Sequence, residues 1–427
     1  MTVAGAVVRR APFSDNPDVG PRGQRTQQRI VRAALEVLQR DGYHRCSVDR
    51  ITRVAGCSRA SFYQYFSSKE DIVHHLATIV AQEVAAAIES VDRLAADQHG
   101  RDATRQWLGT YGEIYQRYGA MFLAYETAAG AEPEIAAIRN HEGPRNVQQI
   151  RGRLHQPRLP ARHLNAVISL LLECMLRTFV IADILHAAQP DSYPHDRVVD
   201  ALTDVVHRTF FGLRPEVNVH PSEGEPAPLP TPGGAPAQPR VASLDGGSGD
   251  TLELLRSRGR DVFVSRGYNG TRVDDIVAAA GLSRGAFYRY FDNKAHLAQT
   301  LVVDSLQPLA AALDAIPDVA SVGKDLDVLR EWLRRYNVTH AHESGMIHVW
   351  IDATARNATL DADAAPALDW GRRRLAEFLR PRGFGDVDLE AVVLAALLDT
   401  FGVRLRSQRT VDAAVQMIGR GLLGIAD

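Results

Sequence analysis

Residues 47–72 read SVDRITRVAGCSRASFYQYFSSKEDI, and residues 271–297 read TRVDDIVAAAGLSRGAFYRYFDNKAHL. The segment from Gly42 to Lys69 recurs 225 positions later as Gly267 to Lys294, without a gap between the two copies. Stacked solenoid repeats recur about every 20 to 50 residues, so an interval of this length indicates duplicated domains. The chain therefore carries one small module twice.

Apolar residues in each copy follow the helical period and hardly anywhere alternate as in a strand, which predicts an all-α fold. In the first copy one helix ends at Gly42, and a short second helix begins near Ser47. A tight turn containing glycine then leads to Ser58, a residue suited to cap a third helix. The matching positions of the second copy are Gly267, Thr271 and Ser283. Two helices joined by such a turn predict a helix-turn-helix, whose second helix enters a major groove.

The third helix has distinct inner and outer faces. Phe62 and Phe66 lie one turn apart and are expected to anchor the inner face. A rotation of about 100° per residue turns the intervening residues outward. These outward residues are Ala60, Ser61, Tyr63 and Gln64. A small and polar outer face suits contact with base edges.

Both quoted segments resemble the N-terminal DNA-binding domain of the TetR family of transcriptional regulators. The resemblance implies a DNA-binding head followed by a helical body that binds a ligand and dimerises. It also implies that Tyr65, Lys69 and their counterparts grip the DNA backbone. From the resemblance and the outward face, the residues expected to contact DNA are Ser47, Ser58, Arg59, Ala60, Ser61, Tyr63, Gln64, Tyr65 and Lys69, and in the second copy Thr271, Arg272, Ser283, Arg284, Gly285, Ala286, Tyr288, Arg289, Tyr290 and Lys294.

The second head departs from the family pattern where its second helix starts. The hydroxyl residue expected there is Ser47 in the first copy but Arg272 in the second. Thr271 is then expected to cap the helix from one position earlier, which weakens the case for a phosphate contact at this point.

The two heads also differ in charge and in reading residues. Residues 22–70 hold ten Lys or Arg against four Asp or Glu, a net charge of +6, whereas residues 250–294 hold eight against six, a net charge of +2. Gln64 is replaced by Arg289, and in the major groove Gln favours adenine while Arg favours guanine. We expect stronger DNA binding by the first head and an asymmetric or imperfectly palindromic operator. The alternative is that the differing residues face solvent or the DNA backbone and read no bases.

The sequence predicts two tandem units joined by a Pro- and Gly-rich linker. The predicted segments are a flexible basic arm at 1–22, heads at 23–72 and 250–297, bodies at 73–214 and 298–427, and the linker at 215–249. Arg9, Arg10, Arg22 and Arg25 are assigned to the arm, which either inserts into a minor groove or attracts phosphates without specificity.

The last two helices of each half are expected to form a four-helix interface, as the resemblance implies. The candidate segments are 167–184 with 198–211, and 389–405 with 411–423. Pairing within the chain would give a pseudo-dimer with two heads, and pairing between chains would give a homodimer with four. A further alternative keeps one DNA-reading head and makes the second half a ligand-sensing or partner-binding module.

Each body is also expected to bind a small, largely apolar effector. Most body aromatics at helical spacing are expected to be core, and a few to line a pocket with polar anchors. The candidate ligand residues are Trp107, Tyr111, Tyr125, Glu126, Glu173, Arg177, Trp332, Tyr336, Trp350, Asp352 and Asp399.

Several other classes of protein are disfavoured. The three cysteines, Cys46, Cys57 and Cys174, have no spacing that indicates a disulfide framework or a zinc site. The pair His340 and His342 lies on different faces of a helix, so we expect no metal there, and no cofactor. Catalytic motifs and a membrane-spanning segment are absent from the sequence, and we expect a cytoplasmic, non-enzymatic partner of double-stranded operator DNA.

Overall fold

The computed structural model describes residues 20–129, 133–189, 191–214, 248–354, 358–404 and 407–425. These residues are helical and contain no strand, only an isolated bridge between Leu94 and Leu154. The predicted all-α class is therefore confirmed. The helices of the first half are α1 (Pro21–Arg45), α2 (Val48–Ala55), α3 (Arg59–Tyr65), α4 (Lys69–Glu89), α5 (Gln98–Ala129), α6 (Pro133–Arg153), α7 (Ala161–Ala188) and α8 (His195–Phe211).

The second half repeats this order after the linker. Its helices are α9 (Ser248–Gly270), α10 (Val273–Ala280), α11 (Arg284–Tyr290), α12 (Lys294–Asp314), α13 (Val319–Lys324), α14 (Leu326–Thr354), α15 (Ala358–Leu379), α16 (Val387–Arg404) and α17 (Gln408–Gln416), followed by a π-helical turn at Met417–Leu422.

The helices of the first head form where the sequence predicts them. Gly42 adopts a φ of 72° and interrupts α1, a conformation that a residue without Cβ adopts easily. The Ser47 hydroxyl accepts the Arg50 N–H at 3.4 Å and caps α2. A left-handed Gly56 ends α2, which leaves Ser58 to cap α3. Local signals thus set every boundary of this helix-turn-helix.

One expectation about the amino-terminal arm is wrong. Arg22 and Arg25 lie on α1, which begins at Pro21, because proline suits the first turn of a helix. Arg9, Arg10 and most of the linker lie outside the described residues.

The predicted cap of the second head is also wrong. Thr271 does not cap α10; it is buried, and its hydroxyl donates to the Gly267 carbonyl at 2.8 Å. Arg272 takes the N-cap position instead, and its N–H donates to the Asp275 side chain at 2.9 Å. An acidic residue in the first turn thus binds the N–H of the N-cap residue, whereas in the first head a serine hydroxyl accepts an N–H of the first turn.

The carboxy-terminal helices of the two halves pack together as predicted. Helix α7 contacts α16 and α17, and α8 contacts α16 and the π-helical turn. These helices carry many buried apolar residues, including Val167, Leu171, Leu202, Val392 and Ala414. The predicted four-helix interface is therefore present within one chain.

Two compact units divide the chain by contact density. The described residues within 1–84 and 116–142 form one unit, which contains the first head, and those within 85–115 and 143–427 form the other. None of the helices within the described residues is long and apolar enough to cross a bilayer.

Candidate nucleic-acid interface

Helix α3 is held by its inner face and presents its outer face to solvent. Phe62 and Phe66 are fully buried, with ring centres 5.8 Å apart. The Ser58 hydroxyl accepts the Ser61 N–H at 3.0 Å and fixes the start of the helix. Arg59, Ala60, Tyr63 and Gln64 are exposed, and Ser61 is half-buried. Packing and capping thus hold a short helix rigidly while its predicted reading residues stay accessible.

Helix α11 repeats this arrangement in the second head. Phe287 and Phe291 are fully buried, with ring centres 5.6 Å apart. The Ser283 hydroxyl accepts the Ala286 N–H at 3.2 Å. The exposed residues at the matching positions are Arg284, Gly285, Tyr288 and Arg289, with Ala286 half-buried. The second head therefore keeps the geometry of a groove-reading helix and differs in its side chains.

Tyr63 and Tyr288 are the most prominent rings on these faces. They are 46% and 50% exposed, although each packs edge-on against the buried phenylalanine before it. Each ring is therefore held by packing on one side and stays accessible to a DNA partner on the other.

Tyr65 and Tyr290 occupy a different environment. Both rings are buried in the cores of their heads, at 6% and 3% exposure. The residue before each of them, Gln64 or Arg289, lies on the outer face, and the helical rotation of about 100° per residue carries the tyrosines inward. Burial favours a packing role for the rings over the DNA-backbone contact expected from the resemblance.

The two lysines expected to contact the DNA backbone bind within their own heads. Lys294 Nζ donates to the carbonyl oxygens of Tyr268 and Thr271, at 2.7 and 2.9 Å, and lies 4.3 Å from the centre of the Tyr268 ring. Lys69 Nζ lies 4.1 Å from the centre of the Tyr43 ring. Each ammonium ties the start of the fourth helix of a head to the end of its first helix.

An ion pair crosses each helix-turn-helix. Arg59 Nη1 lies 3.3 Å from an Asp49 carboxylate oxygen. In the second head the contact is bidentate, because Arg284 donates through Nε and Nη2 to the two carboxylate oxygens of Asp274. These hydrogen bonds lower the pKa of the Asp274 carboxyl. In both heads the arginine at the start of the third helix is thus paired with an aspartate at the start of the second helix.

The candidate effector residues fall into separate clusters. In the first body Tyr111 and Tyr115 stack on Phe179, with ring centres 6.1 and 5.6 Å away, and Phe179 stacks on His195 at 5.2 Å. Tyr115 hydrogen-bonds to Asp183, a carboxyl whose pKa is raised by burial. Sequence reasoning missed Phe179, Asp183 and His195, because aromatic residues at helical spacing are usually core.

The matching region of the second body is more polar. Tyr336 stacks on His340, with ring centres 5.6 Å apart, and packs at a tilt against Trp332, with ring centres 5.4 Å apart. Asp399 lies 3.5 Å from His340 Nε2 and 3.4 Å from Arg177 Nε. Arg177 and Asp399, both predicted as ligand anchors, are thus brought together across the two halves.

Three further ligand candidates have described side chains. Trp107 is buried on α5, and Glu173 is half-buried on α7. Trp350 belongs to the core of the second head, together with Met346 and Val349. The side chains of Tyr125, Glu126 and Asp352 lie outside the described residues.

Two capped, surface-exposed helix-turn-helix motifs define a DNA-binding protein. Residues 30–76 and 255–301 each match the family of bacterial regulatory proteins, tetR family. The two matches start 225 positions apart, as the gap-free repeat requires. The chain is a tandem TetR-family transcriptional regulator, with one DNA-binding domain in each half.

Several known transcriptional regulators are similar in sequence to parts of this chain. The HTH-type transcriptional regulator EthR of Mycobacterium tuberculosis (strain H37Rv) is 26% identical over 208 residues, which are 45% of this chain and 94% of that protein. The HTH-type transcriptional repressor DhaR of Mycobacterium sp. (strain GP1) is 34% identical over 68 residues, 16% of this chain and 34% of that protein. The fatty acid metabolism regulator protein of Bacillus subtilis (strain 168) is 43% identical over 44 residues, 10% of this chain and 23% of that protein.

Proposed function

We propose that this regulator is a cytoplasmic, ligand-responsive repressor whose two halves pair within one chain and read one operator with two unequal heads. The four-helix packing of α7 and α8 with α16 and α17 supports pairing inside the chain. The similarity to DhaR, a transcriptional repressor, supports repression as the direction of regulation.

The observation that carries this proposal is that equivalent positions of the two reading helices are exposed but hold different side chains. Gln64 and Arg289 occupy the same exposed position on α3 and α11. Since Gln pairs best with adenine and Arg with guanine, the two heads prefer different bases at that position. The operator is then an imperfect palindrome whose two half-sites differ.

Selection of bound DNA from a random pool tests this proposal. The expected product is a site with two unequal half-sites. A perfect palindrome as the best site would contradict the idea of two distinct functional heads.

Substitutions in the full chain then assign each half-site. Tyr63→Ala and Tyr288→Ala are each expected to weaken binding to the selected site and to remove protection of one half-site in footprinting. Val338→Ala is the control, because this valine is 73% exposed on α14 and belongs to neither helix-turn-helix motif. Its affinity should equal that of the unsubstituted chain.

A second candidate function is a regulator with a single DNA-reading head. The bidentate pairing of Arg284 with Asp274 favours it, because that arginine is already neutralised within the second head. The lower net charge of this head also favours this candidate, because it weakens the nonspecific affinity of the head for DNA. Full affinity and an unchanged footprint in Tyr288→Ala would establish this candidate over the two-head proposal.

The effector is proposed to be small and largely apolar, and to act on the bodies. The stacked rings of Tyr111, Tyr115 and Phe179 form an apolar surface with Asp183 as a polar group beside it. A ligand releases DNA only by preferring one conformation of the body over another. Displacement of labelled operator by a panel of apolar small molecules tests this, and Phe179→Ala should change the response without changing affinity for DNA in the absence of effector.

A further inference from the structure

Three ion pairs between described residues cross from the first half to the second, and each takes its arginine from the first half. Arg208 Nη2 contacts Glu390 Oε2 at 2.6 Å, and Arg177 Nε contacts Asp399 Oδ2 at 3.4 Å. The third pair joins Arg197 to Asp386. The first half therefore presents cations from α7 and α8, and the second presents carboxylates on and just before α16.

The two faces are nevertheless related by an approximate twofold symmetry. Arg208 Nε donates to the Gly421 carbonyl at 2.7 Å, and Arg420 Nε donates to the Thr209 carbonyl at 3.2 Å. The two arginines lie 212 positions apart in the chain, and so do Thr209 and Gly421. Each half thus makes the same bond to the other.

This symmetry identifies the residue that would replace each carboxylate in a pair of two first halves. Residues 160–173 align without a gap with residues 386–399, at an interval of 226 positions. Pro160 stands in place of Asp386, and Leu164 stands in place of Glu390. Glu173 stands in place of Asp399, so Arg177 alone would still find a carboxylate.

The pair between Arg208 and Glu390 is the most discriminating of the three, because it is completely buried. Both side chains are 0% exposed. A buried guanidinium that loses its carboxylate retains the desolvation penalty without the compensating attraction. In a pair of first halves, two copies of Arg208 would each face Leu164 and stay uncompensated.

We propose that the α7 and α8 face of the first half is built to pair with a second half and to reject another copy of itself. The partner that it fits is a helical face carrying a buried carboxylate at position 390 and a second one at position 386. In a pair of second halves, Arg420 would face the carboxylate of Glu390 and would be compensated. The buried charge therefore disfavours only a pair of first halves. This inference rests on the proposed pairing within the chain. It adds that the first half selects a second half over another first half.

Cleavage of the linker in the folded full chain tests the inference. A protease recognition sequence is inserted between residues 215 and 247, the intact protein is purified and cut, and the products are followed by native mass spectrometry during dilution and long incubation. The expected product is a one-to-one complex of the two halves. Complexes of two first halves from the unsubstituted chain would overturn the inference.

Arg208→Met provides the matching variant. It removes the buried positive charge, while Glu390 retains Arg382, whose Nη1 lies 2.7 Å from Glu390 Oε2. After cleavage, this variant is expected to form complexes of two first halves, because methionine packs against leucine without an uncompensated charge. If it stays entirely in the one-to-one complex, the buried pair is not the discriminator. Circular dichroism before cleavage checks that the variant is folded.

Arg105→Met is the control. Arg105 pairs with Asp200 inside the first half, and both side chains are largely exposed. Its cleaved complex should behave as the unsubstituted one does. Release of both halves as monomers would overturn the pairing in the proposed function itself, whereas complexes of two first halves would overturn only the selectivity.

Discussion

Arg59 and Arg284 are the same residue at the same position of two reading helices, and their contacts differ. A single contact of 3.3 Å joins Arg59 to Asp49, whereas Arg284 donates two hydrogen bonds to Asp274. Both arginines and both aspartates are exposed, so solvent screens the two pairs. The pairs therefore contribute little to the stability of the heads, and we expect them to control how readily each guanidinium reaches DNA.

Asp274→Asn is expected to strengthen DNA binding by the second head, because it releases Arg284 and adds one positive charge. The lowered pKa of Asp274 keeps this carboxylate charged at neutral pH, so the substitution removes a full negative charge. One added phosphate contact should steepen the dependence of log affinity on log salt by about 0.9. Titration of operator DNA at several salt concentrations measures this slope. Asp49→Asn is the matched variant with a smaller expected change, and an equal change in both would contradict the assignment.

Lys294→Met is expected to destabilise the second head. Hydrogen bonds that involve a charged group contribute about 1.5 to 3 kcal/mol, and Lys294 makes two of them to backbone carbonyls. Partial exposure of Lys294 reduces the contribution of these bonds, and we expect a loss of about 1 to 3 kcal/mol in the free energy of unfolding. Denaturant unfolding measures it, with Lys69→Met as the matched variant of smaller effect. A weaker salt dependence of DNA binding with unchanged stability would instead indicate a phosphate contact.

At the scale of the element, the π-helical turn after α17 brings two backbones into close approach. A Cβ at Gly421 would lie 2.8 Å from the Val205 carbonyl oxygen on α8 and closer still to the Thr209 hydroxyl. A backbone atom cannot move aside as a flexible side chain can. The packing of α8 against this turn therefore requires glycine at this position.

Gly421→Ala is expected to destabilise the four-helix interface by about 1 to 3 kcal/mol, the usual effect of overpacking. Gly109→Ala is the control, since Gly109 lies inside α5 with no atom within 4 Å of an added Cβ. It should stabilise the chain by about 0.5 to 1 kcal/mol, because alanine is the better helix former. Thermal unfolding of both variants measures these two changes in stability. Equal stabilisation by the two substitutions would show that the approach at Gly421 relaxes freely.

At the scale of the whole molecule, the connection between the halves is a long Pro- and Gly-rich segment. Such a segment tolerates lengthening, because the entropy of loop closure grows only with the logarithm of its length. Pairing within the chain should therefore depend on the four-helix faces and hardly on the linker.

Insertion of 20 Gly and Ser residues into the linker is expected to cost about 0.4 kcal/mol of closure free energy. Solution mass, unfolding midpoint and operator affinity should all stay close to those of the unsubstituted chain. Sedimentation and DNA titration measure these quantities. A shift to a dimer of chains would show that the linker, rather than the interface, keeps the halves together.

The sequence by itself determined the helices and cores of both heads and every predicted cap except that of the second helix of the second head. Helical period, glycine in turns and serine at helix starts act over a few residues, so Phe62, Gly56 and Ser58 take the predicted positions. The class of the protein followed from the same local signals. The domain boundaries and DNA contacts derived from them stay predictions.

Only the tertiary structure decided which polar partners each charged side chain takes. Lys294 binds carbonyls 23 and 26 positions earlier, and Arg208 binds a glutamate 182 positions later. No local pattern encodes such pairs, because they depend on how distant helices pack and on which residues become buried together. The repeat in the sequence predicted two equal folds, and the long-range contacts made the two halves unequal partners.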